Sequence, residues 1–165
     1  MDKFTRAIFL DRDGVINRER TDYVKSVSEL EILPGVAESI KKLKDAGFII
    51  IVITNQSAIN RGLTNHDNVK NIHTTIQDYC KKNGTLIDAF FYCPHRPDEN
   101  CMCRKPNAGL LLRASVEFNI DLKSSWMIGD RDSDLQAAKL AGCNFIKIQS
   151  NGELKHVIQT LLMNV

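Results

Sequence analysis

The run Phe48-Ile49-Ile50-Ile51-Val52-Ile53 is apolar at every position and mostly β-branched. Such a segment has no polar side to turn toward water, so it predicts a central strand of a parallel sheet covered on both faces. It has a strand's length and falls far short of a membrane span. The rest of the chain repeats the theme, with short apolar runs alternating with helix-length amphipathic segments. Strands are predicted at Ala7–Leu10, Asp88–Tyr92, Trp126–Gly129 and Phe145–Ile148. Pro34-Gly35 opens a helix through Val36, Ile40 and Leu43, which Gly47 can end. Thr64-Asn65-His66-Asp67 has N-cap chemistry, and Val69, Ile72, Ile76, Tyr79 and Cys80 form the stripe after it. Further helices are predicted around Leu110, Leu111, Ala114 and Phe118, over Leu135–Ala141 and over Leu154–Leu162. The polar stretch from Val15 to Leu33 reads as a loop or flap.

This βα alternation predicts an α/β fold: a single Rossmann-like, doubly wound parallel sheet with helices on both faces. At 165 residues the chain suits one domain, 1–165, with no insertion large enough for a separate cap domain. Lys and Arg minus Asp and Glu is 22 − 20 = +2, so no basic field points to nucleic acid or to an anionic membrane. The segment Met1–Arg6 lacks the apolar stretch of a signal peptide, which makes a cytoplasmic location the expectation. A monomer is expected. Five cysteines are an odd number, better suited to a reducing compartment than to a disulfide framework. Cys80 and Cys143 lie in apolar settings and read as inert core residues.

The predicted strands end in polar residues on one edge, where open α/β sheets bind ligands. Asp11-Arg12-Asp13-Gly14 leaves the first strand. One of its two carboxylates can attack an electrophile or hold a cation while the other handles a proton. Taken alone it could be an ordinary Asp-Gly turn. Thr54-Asn55-Gln56-Ser57 leaves the second strand and offers a hydroxyl, amides and turn N–H groups to phosphate oxygens. Gly129-Asp130-Arg131-Asp132-Ser133-Asp134 leaves the fourth. Asp130 would approach the first pair, Asp134 would sit one turn on, and Asp132 reads as compensation of a helix dipole. Crowded carboxylates repel unless a cation sits among them, and an all-oxygen donor set suits Mg²⁺. Arg104-Lys105-Pro106 adds fixed positive charge, with Lys105 able to reach a phosphoryl oxygen or a nucleophilic carboxylate. Finally, Cys93, His95, Cys101 and Cys103 have the composition of a closed tetrahedral zinc site, structural rather than catalytic, within the loop 93–106. Zinc can order a polar, Pro-interrupted loop that has few apolar residues of its own.

An Asp pair, a Thr, a Lys and an Asp cluster, in that order, resemble the four motifs of the haloacid dehalogenase (HAD) superfamily, and the chain resembles its phosphatase branch from Ile8 to Ile148. The matching residues are Asp11-Arg12-Asp13-Gly14, Thr54, Lys105 and Gly129-Asp130 with Asp134. The resemblance implies that Asp11 is the nucleophile and takes the phosphoryl group as an aspartyl phosphate. It implies that Asp13 protonates the leaving alcohol and then activates water. Mg²⁺ would be bound by Asp11, Asp130 and the backbone carbonyl of Asp13, and Thr54 and Lys105 would neutralise the transferring group. The zinc loop running into Cys103-Arg104-Lys105-Pro106 is similar to that of the small heptose-bisphosphate and histidinol-phosphate phosphatases. The segments Asp11–Asn17 and Thr54–Gly62 resemble the heptose type. The implied substrate is a small sugar phosphate, a heptose 1,7-bisphosphate cleaved at C7 on the way to nucleotide-activated heptose for lipopolysaccharide or surface glycans. Asn55, Gln56, Ser57, Arg61, Arg104 and Arg131 are the expected substrate contacts, the arginines for the second phosphate. Family members usually have Gly at the position of Ala58, which predicts a slightly constrained loop here.

Two other readings use the same residues. Histidinol-phosphate phosphatase is the alternative within the superfamily. A non-enzymatic, receiver-like phosphoacceptor also uses an Asp, Mg²⁺, a Thr and a Lys. Asp13 argues against that switch, because a long-lived acyl phosphate has no use for an adjacent acid/base.

Overall fold

The computed structural model describes residues 3–165; Met1 and Asp2, the start of the segment expected to carry no signal peptide, lie outside them. Five strands form one parallel sheet: β1 (Arg6–Leu10), β2 (Phe48–Asn55), β3 (Ala89–Cys93), β4 (Trp126–Gly129) and β5 (Asn144–Lys147). Their order is β3-β2-β1-β4-β5, so the chain winds outward one way and then returns to extend the sheet on the other side of β1. The direction of winding reverses between β1 and β4, and a crevice opens at such a switch point. Register places Leu10 beside Val52 on one side and Ile128 on the other, so β1 and β4 end within a residue of each other while β2 runs on to Asn55.

The helices are α1 (Val36–Asp45), α2 (His66–Lys82), α3 (Gly109–Glu117), α4 (Asp132–Ala141) and α5 (Lys155–Met163). Along β1 and β2 successive residues alternate between two cores, as the period of a strand requires. Ile8, Leu10, Ile50 and Val52 pack with α1, α2 and α5, whereas Ala7, Phe9, Ile51 and Ile53 pack with α3 and α4. This two-sided burial is the physical reason why β2 has no polar member before Thr54.

Helix and strand boundaries fall within a residue or two of those predicted, apart from α4. It begins at Asp132, three residues before the predicted start, because its first turn is polar. The larger difference is the segment 15–33. It is no free flap, since Val15, Ile16, Val24 and Leu33 are buried in the α1/α2/α5 core and a short 3₁₀ turn spans Val27–Glu29. Its four anchors follow neither a helical nor a strand period, so hydrophobic periodicity does not register them. Thr64 Oγ1 also donates to the Lys25 carbonyl at 2.6 Å, tying the segment to the start of α2. Among the described residues no helix is long and apolar enough to cross a membrane.

Candidate active site

The switch point between β1 and β4 opens into a cavity of about 770 Å³, lined at its floor by Asp11, Asp13, Lys105 and Asp134. Two glycines let these groups converge. Gly14 has φ +84°, and a Cβ there would collide with the Asp130 carboxylate and with Ser150 Oγ. A Cβ on Gly129 would occupy the space of the Asp134 side chain. Both positions therefore need glycine for close approach, and Gly14 for its backbone angle as well.

Lys105 is the hub. Its Nζ, almost wholly buried, lies 2.9 Å from Asp11 Oδ1 and 2.7 Å from Asp134 Oδ1, and donates to the Ile53 carbonyl at 2.8 Å. The contact with Asp134 is an ion pair rather than an aligned hydrogen bond. Burial works against the ammonium, but the two carboxylates outweigh it and raise the Lys105 pKa. Asp11 moves up to about 8, chiefly because burial penalises its charge; Lys105 pulls it back down, and Asp134 and Asp13 push it further up. One ammonium does not neutralise this many carboxylates.

Asp11, Asp130 and Asp134 each offer a carboxylate oxygen within 4.8 Å of the others, and Asp130 Oδ1 is buried with no hydrogen-bond partner. A dry, orphaned oxygen beside two further carboxylates fits a hard divalent cation. Asp134 is also the residue whose carboxylate accepts from the Arg131 N–H at 3.2 Å at the start of α4. Its motif position and its capping position coincide.

Asp13 sits apart from that trio. Its Oδ1 accepts from Arg12 at 3.0 Å and from the Asn17 amide at 3.0 Å, and its Oδ2 accepts from Gln56 at 2.8 Å. Burial would raise its pKa, but the Arg12 charge and these donors overcome that and hold it below the ordinary carboxylate range. Thr54 is buried next to them, its Oγ1 accepting from Gln56 Nε2 at 2.9 Å.

The expected substrate contacts divide into three groups. Asn55 lines the cavity, but its side chain bridges the Lys105 backbone in both directions, donating to the carbonyl and accepting from the N–H at 3.0 Å each. Gln56 is directed at Asp13, and Ser57 Oγ accepts from Arg61 Nε at 3.2 Å. The arginines all reach the cavity wall: Arg61 beside the Tyr23 ring, Arg104 donating to the His95 carbonyl at 3.2 Å, and Arg131 paired with Glu19. Ala58 is buried and has none of the positive φ that would call for glycine, so the Gly-to-Ala departure leaves this loop unstrained. Sequence reasoning did not find Asn17, Glu19 or the burial of Arg12. For Asn17, its distance of four residues from Asp13 across a tight turn was the available signal.

Cys93, His95, Cys101 and Cys103 form a second cluster, with ligand atoms all within 4.8 Å of one another. His95 Nδ1 is 3.2 Å from both Cys93 Sγ and Cys103 Sγ, and all five cysteines of the chain are free. Burial would raise the Cys101 thiol, yet the Arg104 N–H, pointing at its sulfur from 3.3 Å, and the neighbouring thiols bring it down to about 7.

Comparison with known proteins agrees with this arrangement. The HAD-hydrolase-like family model matches residues 102–160. A D-glycero-β-D-manno-heptose-1,7-bisphosphate 7-phosphatase of Helicobacter pylori J99 is 41% identical over 147 residues, covering 88% of this chain and 81% of that protein. The chain belongs to the heptose-bisphosphate phosphatase family of the HAD superfamily. The Pseudomonas aeruginosa PAO1 member is 36% identical over 143 residues, covering 87% of this chain and 80% of its own. The crystal structure of the Bordetella bronchiseptica D,D-heptose 1,7-bisphosphate phosphatase, complexed with magnesium and phosphate, superposes with a TM-score of 0.89 at 32% identity. That match covers 98% of this chain and 100% of the other. Membership makes the chain a phosphoric monoester hydrolase.

Proposed function

We propose that this enzyme removes the C7 phosphate of D-glycero-D-manno-heptose 1,7-bisphosphate through an aspartyl-phosphate intermediate. The observation that carries the reading is the pairing of two differently supported carboxylates: Asp11 against Lys105 at 2.9 Å, and Asp13 held apart by Arg12, Asn17 and Gln56. Groups in such distinct surroundings take different roles, and a cation held among Asp11, Asp130 and Asp134 would favour the ionised, nucleophilic form of Asp11 that burial alone disfavours. An Asp11 carboxylate oxygen attacks phosphorus, the bond from phosphorus to the C7 oxygen breaks, and Asp13 gives that oxygen its proton. The arriving dianion raises the proton affinity of Asp13 by like-charge repulsion, which lets a carboxylate of low pKa carry a proton at that moment. Water then attacks the phosphorus, Asp13 takes its proton, and the Asp11–phosphorus ester bond breaks to release phosphate. Lys105 and Thr54 oppose the charge on the transferring oxygens. Asp11, Asp130 and the Asp13 carbonyl, with Asp134 alongside, would hold Mg²⁺, which supplies further positive charge against those oxygens.

A bisphosphate carries a second dianion, and Arg61, Arg104 and Arg131 on the cavity wall are the groups to receive it. Histidinol phosphate instead presents a cationic amine and an imidazole beyond its phosphate, which these arginines repel. We expect kcat/KM for the heptose bisphosphate to exceed that for histidinol phosphate by at least about a hundredfold, ~2.7 kcal/mol of barrier. Assaying both esters with Mg²⁺ tests this; equal efficiency, or a preference for histidinol phosphate, would overturn the substrate while leaving phosphatase chemistry in place.

We also propose a structural zinc ion held by Cys93, His95, Cys101 and Cys103. The cluster's compactness and the lowered Cys101 thiol support it. Protein purified without chelators should carry one zinc per chain. Cys101→Ser or Cys103→Ser should raise KM more than it lowers the melting temperature, because the sheet has its own core. Wild-type KM in both variants, or a fully active preparation that contains no zinc, would contradict the assignment.

A further inference from the structure

Helix α2 carries one histidine inward on its apolar stripe. His73, beside Ile72 and one turn from Val69 and Ile76, is 6% exposed. Its ring stacks on Phe90 with centroids 4.7 Å apart and meets the Tyr92 ring edgewise at 5.8 Å. Its Nε2 lies 3.2 Å from an Arg12 terminal nitrogen. Arginine only donates, so Nε2 presents its lone pair and the ring proton resides on Nδ1. Burial, with the Arg12 charge adding to it, holds the His73 pKa down to about 3, which keeps the ring a neutral acceptor.

Arg12 is the unusual partner. Its side chain is fully buried, its Nε has no hydrogen-bond partner, and neither it nor His73 lines the cavity. Among the described residues its guanidinium has two side-chain anchors: Nη1 on His73 Nε2 and Nη2 on Asp13 Oδ1. A buried guanidinium left short of acceptors turns or draws in water, because an unpaired donor in an apolar setting carries the whole desolvation penalty. His73 therefore fixes the orientation of Arg12, and Arg12 in turn fixes one oxygen of Asp13.

We propose that His73 is a positioning residue of the reaction, holding Asp13 in its proton-transfer geometry through Arg12. The inference rests on the phosphatase reading above and deepens it. His73 touches neither substrate nor the acid/base group, so its effect should follow the demand for a proton. An alkoxide leaving group must be protonated as it departs, whereas p-nitrophenolate leaves unaided.

The test compares kcat/KM, which reports steps up to formation of the aspartyl phosphate, on the heptose bisphosphate and on p-nitrophenyl phosphate. His73→Phe keeps an aromatic ring against Phe90 but removes the acceptor. It should lower kcat/KM for the alkyl ester about tenfold, ~1.4 kcal/mol, with less than about a threefold loss on the aryl ester. His73→Gln, which restores an acceptor oxygen, should recover most of the difference. Should His73→Phe fail to fold, judged by near-ultraviolet circular dichroism, His73→Leu makes the same comparison without overpacking. Equal losses on both esters would reduce His73 to a packing residue, and no loss on either would remove the link to Asp13. A wild-type enzyme inert toward both esters would overturn the phosphatase reading itself, and this inference with it.

Discussion

Asp11→Asn should abolish turnover while the protein stays folded. The amide is close in shape to the carboxylate but is a poor nucleophile and a weaker ligand for a hard cation. The expected loss is at least about 10³-fold in kcat, ~4 kcal/mol of barrier. Folding should not suffer, because the change removes one of several carboxylates crowded around a single ammonium and so relieves like-charge repulsion. Initial rates of phosphate release, together with a thermal melt of the same preparation, check both halves. A residual rate within about tenfold of wild type would show that no covalent step passes through Asp11, since tenfold is only ~1.4 kcal/mol.

Lys105→Met should damage stability as well as catalysis. The ammonium is nearly inaccessible to water and sits between Asp11 and Asp134 at 2.9 and 2.7 Å. Methionine matches its length but leaves two buried carboxylates facing each other, and removing one partner from a buried charge cluster costs roughly 3–5 kcal/mol. Melting in a chelator should reveal that cost. Millimolar Mg²⁺ should return part of it, because an ion that binds the folded form a hundredfold above its Kd contributes ~2.7 kcal/mol. Turnover should not return with it, as the charge opposite the transferring group is still missing. A melting temperature equal to wild type in chelator would mean that Lys105 is no keystone of this cluster.

The contrast between these residues and Arg12 shows what a sequence exposes and what it hides. Asp11, Thr54 and Asp130 leave apolar runs directly, so their placement on one sheet edge follows from strand length and parallel topology alone. Lys105 is one step harder, since its loop has no period; only its order among the other motifs singles it out. Arg12 lies between two aspartates, and such a triplet reads as solvated charge. Its burial comes with its contact to His73 on α2, a residue distant in sequence. His73 leaves a fainter trace: it falls on the inward stripe between Val69 and Ile76, the one ring nitrogen donor or acceptor among aliphatic neighbours. The packed segment 15–33 was hidden for a different reason, since its anchors are spaced by no regular element.

The winding order of the sheet also bears on how the protein matures. Asp11 precedes Asp130 and Asp134 by more than a hundred residues, and the three meet only when β4 docks against β1. A nascent chain that stops short of Trp126 can pair β1, β2 and β3 and can already place Lys105 beside Asp11. It still owns a single carboxylate of the cation trio. A divalent cation held by the trio would therefore favour the long-range docking of β4 against β1 over every intermediate that lacks it. In a pulse-labelling or ribosome-release experiment, magnesium-dependent protection would thus mark only chains that extend past Asp134 and have docked β4.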